Sequence, residues 1–508
     1  MVMWLRVLIQ GKGSGLSFNK RISNIQQGIA NYEVKTALGV LLSLAYNFRQ
    51  VCLFCFFATE GSEYLRGIGE KIYTIKGKGR KKGSRNLLVF FCLSFLFSIA
   101  PIFAKTSSRY ATEITIDAAY PGGNIIVDKI ESDTVTLHQD LRDTGRWWFY
   151  WNFRVSGAAG RTLTFRFTNK NVFGTQGPAV SKDGSMTWSW LGTKTIKGNS
   201  FSYEFAPDAK SVRFAFCLPY QEADLGRFIS QHAGNEHFAV HQLCKTRKNR
   251  TVERLHIGKL EGQPKHRVLI TCRHHACESS ASYVVEGMMD ALLAKTNDGK
   301  WFRENVEVMV IPFMDKDGVE DGDQGKGRKP RDHCRDYAGK SLYPSVRTLR
   351  TFVPEWSAGK LRVALDFHCP YFRDNKIYQV GSSHPNIWAE QKKFGSILES
   401  VTDKTLPYKS ANDLPFGKNW NKADSYKEGK SFFQWADELE GIRLSSAFEI
   451  PYAQSGRTIA APDTLRAFGA NFVQAMRKYL ENETLSAPSN SRKSFTLCEG
   501  EKKVPGTF

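Results

Sequence analysis

Arg267-Val-Leu-Ile-Thr-Cys-Arg-His-His-Ala-Cys-Glu278 runs directly into Ser279-Ser-Ala-Ser-Tyr-Val-Val-Glu-Gly-Met-Met-Asp-Ala-Leu-Leu293. Residues 267–272 form a short apolar run of the kind that builds a strand buried on both faces. Apolar residues then recur at helical spacing through 279–293, so the stretch reads as strand, tight turn and helix. Outward from it the alternation repeats. Residues 306–312, 361–367, 377–380 and 443–450 carry the strand signal, and 387–401 is helical. Asp463, a good N-cap, opens a helix whose Leu465, Phe468, Phe472, Met476 and Tyr479 share one face up to about Leu480. Strands alternating with helices predict an α/β layer domain over 225–484.

Upstream the pattern changes. Between 110 and 220, short runs rich in Thr, Val, Ile and aromatics (115–118, 124–127, 134–137, 147–155, 162–167, 186–191, 201–205 and 212–218) alternate with turn signals such as Tyr120-Pro-Gly-Gly123. This spacing predicts an antiparallel β-sandwich, domain 105–224. The cluster Trp147-Trp-Phe-Tyr-Trp151 reads as core filling in a strand, with sugar or base stacking as the alternative. It lacks the interleaved basic residues of a nucleic-acid surface, so no nucleic-acid partner is expected.

The composition, 41% hydrophobic and 24% charged over 508 residues, excludes collagen-like, low-complexity and disordered classes and leaves room for two or three domains. The net charge of +21 is uneven, because residues 1–104 hold 14 Lys/Arg against 4 Asp/Glu. The basic run Lys76-Gly-Lys-Gly-Arg-Lys-Lys-Gly-Ser-Arg85 precedes a short apolar core at 86–100, and Pro101-Ile-Phe-Ala104 puts a small residue before the expected cut. That is a secretory signal pattern, shorter than the about 20 residues of a membrane span. We therefore expect a signal peptide, or an uncleaved anchor, at 86–104 behind a leader (1–85) that reads as an over-extended start. The mature chain is expected to be exported, membrane-associated only if 86–100 stays uncleaved, and to end in a loose tail at 485–508. Ten cysteines divide as three before residue 105 and seven after it, and only Cys52 and Cys55 have CxxC spacing. No disulfide framework and no thiolate zinc ribbon follow.

Four segments can carry chemistry. His275 and Glu278, three apart on a turn after a buried strand, can converge on a divalent metal; alternatively His275 caps the helix and Glu278 meets a solvent cation. His368 ends the strand Ala364-Leu-Asp-Phe-His368, at the carboxyl edge where open α/β sheets place ligands, and can supply a third metal ligand or serve as a hydrogen-bonded core residue. Glu449 lies near the end of the strand at 443–450, as a base, a ligand or an edge-strand surface carboxylate. The loop from Met314 to Asp336 begins acidic, without EF-hand spacing, and becomes cationic through Lys326, Arg328, Lys329, Arg331 and Arg335. It suits an anionic substrate group or oxyanion, or is simply solvated.

These segments, in this order, resemble zinc metallocarboxypeptidases, in particular the cytosolic-carboxypeptidase-like branch, over roughly 110–480. Phe214-Ala-Phe-Cys-Leu-Pro-Tyr220 resembles the phrase that ends the branch's N-terminal domain, and Leu243-Cys-Lys-Thr246 the entry to its catalytic domain. The resemblance implies a mixed-sheet catalytic domain behind a smaller antiparallel β-sandwich, and one Zn2+ per chain held by His275, Glu278 and His368. It implies Glu449 as the general base that deprotonates water and then protonates the leaving amine. Asp315-Lys-Asp-Gly-Val319 stands in place of the family's Asn-Pro-Asp-Gly. Asp332-His-Cys-Arg335 stands for Asp-x-Asn-Arg, which makes Asp332 the partner of a zinc-bound imidazole and gives the substrate's terminal carboxylate to Arg335 and residue 334. Arg328 is the first candidate for the oxyanion cation and Lys326 the second. Cys334 departs from the expected Asn, and a thiol is a poor partner for a carboxylate; Cys277 and Cys369 add thiols beside the ligands.

The expected function is a zinc metallocarboxypeptidase acting on the C-terminus of a peptide or protein. The alternatives are a zinc amidase or deacylase on a non-protein or cell-wall amide, and an inactive zinc-site binding protein. Arg373, Lys376, Lys409, Lys418, Lys427 and Arg443 are candidate cations for a pocket that selects acidic side chains, or surface residues. The oligomeric state is not readable.

Overall fold

Turn-separated strands of the first domain fold as two facing sheets in the computed structural model, which describes residues 113–145, 147–402 and 406–485. One sheet is ordered β1 (Thr115–Asp117), β4 (Asn152–Ser156), β10 (Ser211–Ala215), β6 (Ala179–Ser181), β7 (Ser189–Trp190). The other is ordered β2 (Ile126–Glu131), β3 (Thr134–His138), β5 (Thr162–Phe167), β9 (Ser200–Glu204), β8 (Ile196–Lys197). Period-two alternation turns Leu163, Phe165 and Phe167 of β5 inward. Pairing is antiparallel except between β3 and β5, which run parallel. The reason is connectivity: the intervening β4 belongs to the opposite sheet, so the chain returns in its original direction.

The aromatic cluster is core from Phe149 onward, while Trp148 is half-buried. Phe149, Tyr150 and Trp151 are buried, and Trp151 donates its indole N–H to Val172 O at 2.7 Å. Trp147 is 81% exposed and has a left-handed backbone, φ 43°. That turn delays β4 to Asn152, where a strand from residue 147 was expected.

After α1 (Glu222–Gln231) the chain forms a seven-stranded mixed sheet. Its order is β11 (Phe238–Lys245), β12 (Thr251–Gly258), β14 (Val306–Ile311), β13 (His266–Cys272), β15 (Leu361–His368), β17 (Leu444–Glu449), β16 (Tyr378–Val380). The four strands β14, β13, β15 and β17 are parallel, and the pairs at either edge are antiparallel. Alternation along the buried strands explains their continuous apolar runs. Val268, Ile270, Val363 and Leu365 join the core that includes α2 (Ser279–Leu293) and α8 (Pro462–Leu485). Leu269, Met309, Ile311 and Ala364 join the opposite core, which holds Val346, Leu349 and Val353 of α5 (Pro344–Ser357) and Phe432 of α7 (Phe432–Ala436). The remaining helices are α3 (Asn297–Asn305), α4 (Lys316–Asp321) and α6 (Pro385–Val401).

Both domains share one core: Phe149 stacks on Phe372 at 5.3 Å between centroids, and Phe216 meets Tyr452 edge-on at 5.3 Å. Among the described residues no helix is long and apolar enough to cross a membrane. The proposed signal or anchor at 86–104, the leader before it and the tail from 486 lie outside the described residues.

Candidate metal centre

The carboxyl ends of β13 and β15 lie side by side, with Thr271 in register with Asp366 and Cys272 with Phe367. Just beyond β13, Arg273 adopts a left-handed backbone, φ 61°. Its buried guanidinium donates to the carbonyls of Ala276 and of Tyr220 (2.8 Å) and to the hydroxyl of Ser282 (3.0 Å). This side chain staples the turn that carries His275 and delivers Glu278 to the N-cap of α2. The Glu278 side chain makes no capping bond. Its fully buried carboxylate faces two imidazoles: Oε1 lies 2.9 Å from His275 Nδ1, and Oε2 lies 2.8 Å from His368 Nδ1. The structure thus brings together the three candidate ligands named from sequence.

Each imidazole is oriented from its far side by an aspartate. His275 Nε2 lies 3.1 Å from Asp332 Oδ2, and His368 Nε2 lies 2.7 Å from Asp366 Oδ2. A carboxylate at Nε2 holds a proton there and turns the Nδ1 lone pair inward, the tautomer a metal needs. The other oxygen of Asp366 accepts from Thr271 at 2.9 Å and contacts His274 Nδ1 at 2.9 Å. His274 Nε2 ends on the Tyr337 hydroxyl at 2.7 Å. Sequence reading missed Asp366 and His274. The signal for Asp366 was available, because residues two apart on a strand share a face and Asp366 precedes His368 by two.

The cluster is strongly coupled. Burial would lower the His275 pKa, but Asp332 and Glu278 lift it to about 10. Burial is likewise outweighed at His368, which Asp366 and Glu278 raise well above the ordinary range. Burial would raise Glu278, yet His275, Lys326 and His368 hold it well below the carboxylate range. Asp332 and Asp366 are lowered in the same way by the imidazoles. One divalent ion in place of the two Nδ1 protons leaves the net charge unchanged, so the cluster that accommodates two imidazolium rings also accommodates M2+ with neutral rings. Two imidazole nitrogens and a carboxylate form the three-ligand donor set of a catalytic zinc.

Two other donor groups lie within 4.8 Å: His275–Cys334–His368 and His274–Asp366–His368. The first relies on Cys334 Sγ, 3.7 Å from His368 Nε2 on the ring edge that Asp366 already engages. In the second, both Asp366 oxygens serve as bridges between the imidazoles. In the set implied by the resemblance, His275 Nδ1 and His368 Nδ1 instead meet different oxygens of Glu278.

Glu449 is in register with His368 across β15 and β17. It is buried, and its Oε2 has no hydrogen-bond partner. Burial pushes its pKa above the ordinary value against the pull of Lys326 and His368. This placement excludes the edge-strand surface reading.

The cationic loop divides its roles. Lys326 reaches the cluster, with Nζ 2.8 Å from Glu278 Oε1 and bonded to the carbonyls of Cys369 and Pro370 (3.0 Å). Arg328 does not. It is held by Asp143, by Asp315 at 2.6 Å and by Asp323 at 3.0 Å. Arg335 stays near, its Nε donating to Ser425 O at 2.9 Å and its Nη1 to Cys334 O and Sγ at 3.2 and 3.3 Å. Its guanidinium lies over the Tyr426 ring at 4.8 Å. Cys334 is buried, its backbone N–H donating to Asp332 Oδ1 at 2.8 Å. Of the cations considered for a selecting pocket, Lys409 and Lys427 are exposed pairs of Glu399 and Asp424. Arg443 precedes the start of β17, at the opposite end of that strand from Glu449.

Residues 116–217 match the family described as cytosolic carboxypeptidase N-terminal domain, and residues 231–342 match the family zinc carboxypeptidase. The second match holds His275, Glu278, Lys326, Asp332 and Arg335; His368 and Glu449 lie beyond it. The chain is similar to cytosolic carboxypeptidase 2 of Xenopus tropicalis, 24% identical over 414 residues, covering 72% of this chain and 40% of that protein. It is similar to cytosolic carboxypeptidase 6 of Caenorhabditis elegans, 24% identical over 315 residues, covering 55% of this chain and 67% of that protein. The chain therefore spans well under half the length of some relatives it matches. Its fold resembles the metallo-carboxypeptidase of Burkholderia cenocepacia (20% identity, TM-score 0.62, covering 73% of this chain and all of that one). It also resembles that of Pseudomonas aeruginosa in complex with (2-guanidinoethylmercapto)succinic acid (17%, TM-score 0.59, 72% and 99%).

These relatives overturn the expectation of a secreted chain with a signal peptide, since the matching curated proteins are named cytosolic carboxypeptidases. The six cysteines of the described residues are all free thiols. Both models match in order, so residues 116–217 resemble the cytosolic carboxypeptidase N-terminal domain and residues 231–342 the zinc carboxypeptidase domain, whose His275 and Glu278 meet His368 at the sheet edge.

Proposed function

We propose that the chain is a zinc-dependent carboxypeptidase that hydrolyses the last peptide bond of a peptide or protein. The observation that carries the reading is the convergence of His275 Nδ1 and His368 Nδ1 on Glu278, with the unpartnered carboxylate oxygen of Glu449 in the adjoining strand. Zinc held by His275, Glu278 and His368 supplies Lewis acidity to the scissile carbonyl and to the attacking water. Glu449 accepts the proton of that water and then delivers it to the leaving amine. A carboxylate with a raised pKa suits both halves of that task. Lys326, and not Arg328, is the cation for the developing oxyanion, because the Arg328 guanidinium is already claimed by three carboxylates. Arg335 receives the terminal carboxylate of the substrate. Asp332 and Asp366 hold the two imidazoles.

Cys334, buried against Arg335 where an amide is expected, favours a second reading, a zinc amidase acting away from a free chain end. Matched peptides with a free-acid and an amidated C-terminus separate the two. Metal analysis is expected to return one zinc per chain, and cleavage is expected to vanish on amidation. Equal cleavage of both peptides assigns the chain to the amidase class, and zinc binding with no cleavage of either assigns it to a binding role.

A further inference from the structure

We propose that Gln324 is a positioning residue through which the N-terminal sandwich sets the place of Lys326. The proposal rests on Lys326 being the cation of the carboxypeptidase site. Gln324 is fully buried. Its Oε1 accepts from the backbone N–H of Phe149 at 2.8 Å and of Tyr150 at 3.3 Å. Its Nε2 donates to Trp147 O at 3.1 Å and to Lys326 O at 3.4 Å. Its own carbonyl accepts from Cys277 N at 3.0 Å, one residue before the ligand Glu278. The side chain therefore joins the sandwich to the backbone of Lys326, and the carbonyl of the same residue holds the ligand turn.

The loop is held on the other side of Lys326 by the same segment of the sandwich. Gly145 N donates to Gly327 O at 3.0 Å, and Lys329 N donates to Asp143 O at 2.9 Å, so Thr144 and Arg328 pair as an antiparallel bridge. The Asp143 carboxylate adds the ion pair to Arg328. Between the two grips, Gly325 adopts φ 81° and lies so close to the ligand turn that an added Cβ would collide with Ala276 N. Asp143 and Gly145 on one side and Trp147, Phe149 and Tyr150 on the other thus bracket Lys326, and the ammonium reaches Glu278 from a backbone that the catalytic domain does not hold alone. The left-handed backbone of Trp147 has a purpose in this arrangement. Strain of that kind persists where surrounding contacts over-determine it, and here it presents the carbonyl to Gln324.

The test uses Gln324→Ala and Lys326→Met, singly and together, in the full zinc-loaded chain. With Lys326 present, Gln324→Ala is expected to lower kcat by about tenfold or more on a free-acid peptide, with KM changed less than about threefold. In the Lys326→Met background the same substitution is expected to change kcat less than about twofold, since the group it positions is gone. Additive losses overturn the proposal. A second readout needs no turnover: in Gln324→Ala, hydrogen exchange of peptides covering 323–330 is expected to speed up about tenfold, with β13 and β15 unchanged. Unchanged exchange in the loop also overturns the proposal. Gln324→Glu keeps the acceptor for Phe149 and Tyr150 but loses both donor bonds, and carries both arms if the alanine variant does not fold. A wild-type chain that cleaves no peptide sinks the carboxypeptidase reading, and the exchange arm then decides the role of Gln324 alone.

Discussion

Asp366, not named from the sequence, bridges Thr271, His274 and His368 from a buried strand. Asp366→Asn keeps the shape but weakens the hold on the His368 tautomer. We expect zinc affinity to fall about 10–100-fold, measured by competition with a chromogenic chelator. Glu449 makes the complementary case. Glu449→Gln keeps the ligands, so zinc content is expected to be unchanged while kcat drops by about 10²–10⁴-fold; a variant retaining full activity removes the base assignment. The raised pKa of Glu449 sets the direction of the pH profile. The base must be ionised, so kcat/KM of the wild type is expected to fall on the acid side at a pH above the ordinary glutamate value of about 4.3. At this scale the sequence was informative about residue types. It placed His275, Glu278, His368 and Glu449 as candidates, because an imidazole or carboxylate at the end of an apolar strand needs a partner. It ranked Arg328 above Lys326 because loop spacing does not reveal that Asp143, far away in the chain, claims the guanidinium.

Among the elements, β14 shows how a charged side chain can hold a sheet together. Glu307 contacts His256 of β12 at 2.8 Å, accepts from Arg267 of β13 at 2.8 Å, and accepts from the Trp356 indole of α5 at 2.8 Å. Burial would raise its pKa, but these partners lower it to about 2. A depressed carboxylate pKa adds stability that is fully present above the unfolded value of about 4.3 and is lost as the pH falls through about 2. Glu307→Gln is therefore expected to cost about 2 kcal/mol at neutral pH, the difference from wild type narrowing between pH 4.3 and 2. Urea unfolding of both proteins across that range measures it, and a difference that stays constant with pH contradicts it. Elements with strong periodicity were legible in advance, including α2, β13, β15 and β17. The β4 start and the parallel β3–β5 pair were not, because a left-handed Trp147 and a strand that changes sheets leave no local pattern.

Among the described residues, one of the two cores spans both domains, from Trp151 in the sandwich to Phe472 in α8, with Phe149, Phe216, Phe372 and Tyr452 at the junction. Neither domain can expose this junction without exposing part of the other's interior. Thermal unfolding is expected to be one transition, seen at the same temperature by tryptophan fluorescence and by far-UV circular dichroism. Removing zinc with a chelator is expected to lower that temperature for both probes together, and adding zinc back to restore it in a concentration-dependent way. Two separated transitions, only one of them zinc-sensitive, would overturn this expectation.

What the amino-acid order determined by itself was the layer architecture and the residue types at its sheet edge, since both follow from local periodicity and from the cost of burying a polar group. The tertiary structure alone decided which charges meet. It directed two Nδ1 atoms to Glu278 and two Nε2 atoms to aspartates, sent Lys326 rather than Arg328 to the cluster, and made the sandwich a wall of the loop that carries it. Electrostatic partners are chosen by distance through space, and sequence separation records none of it.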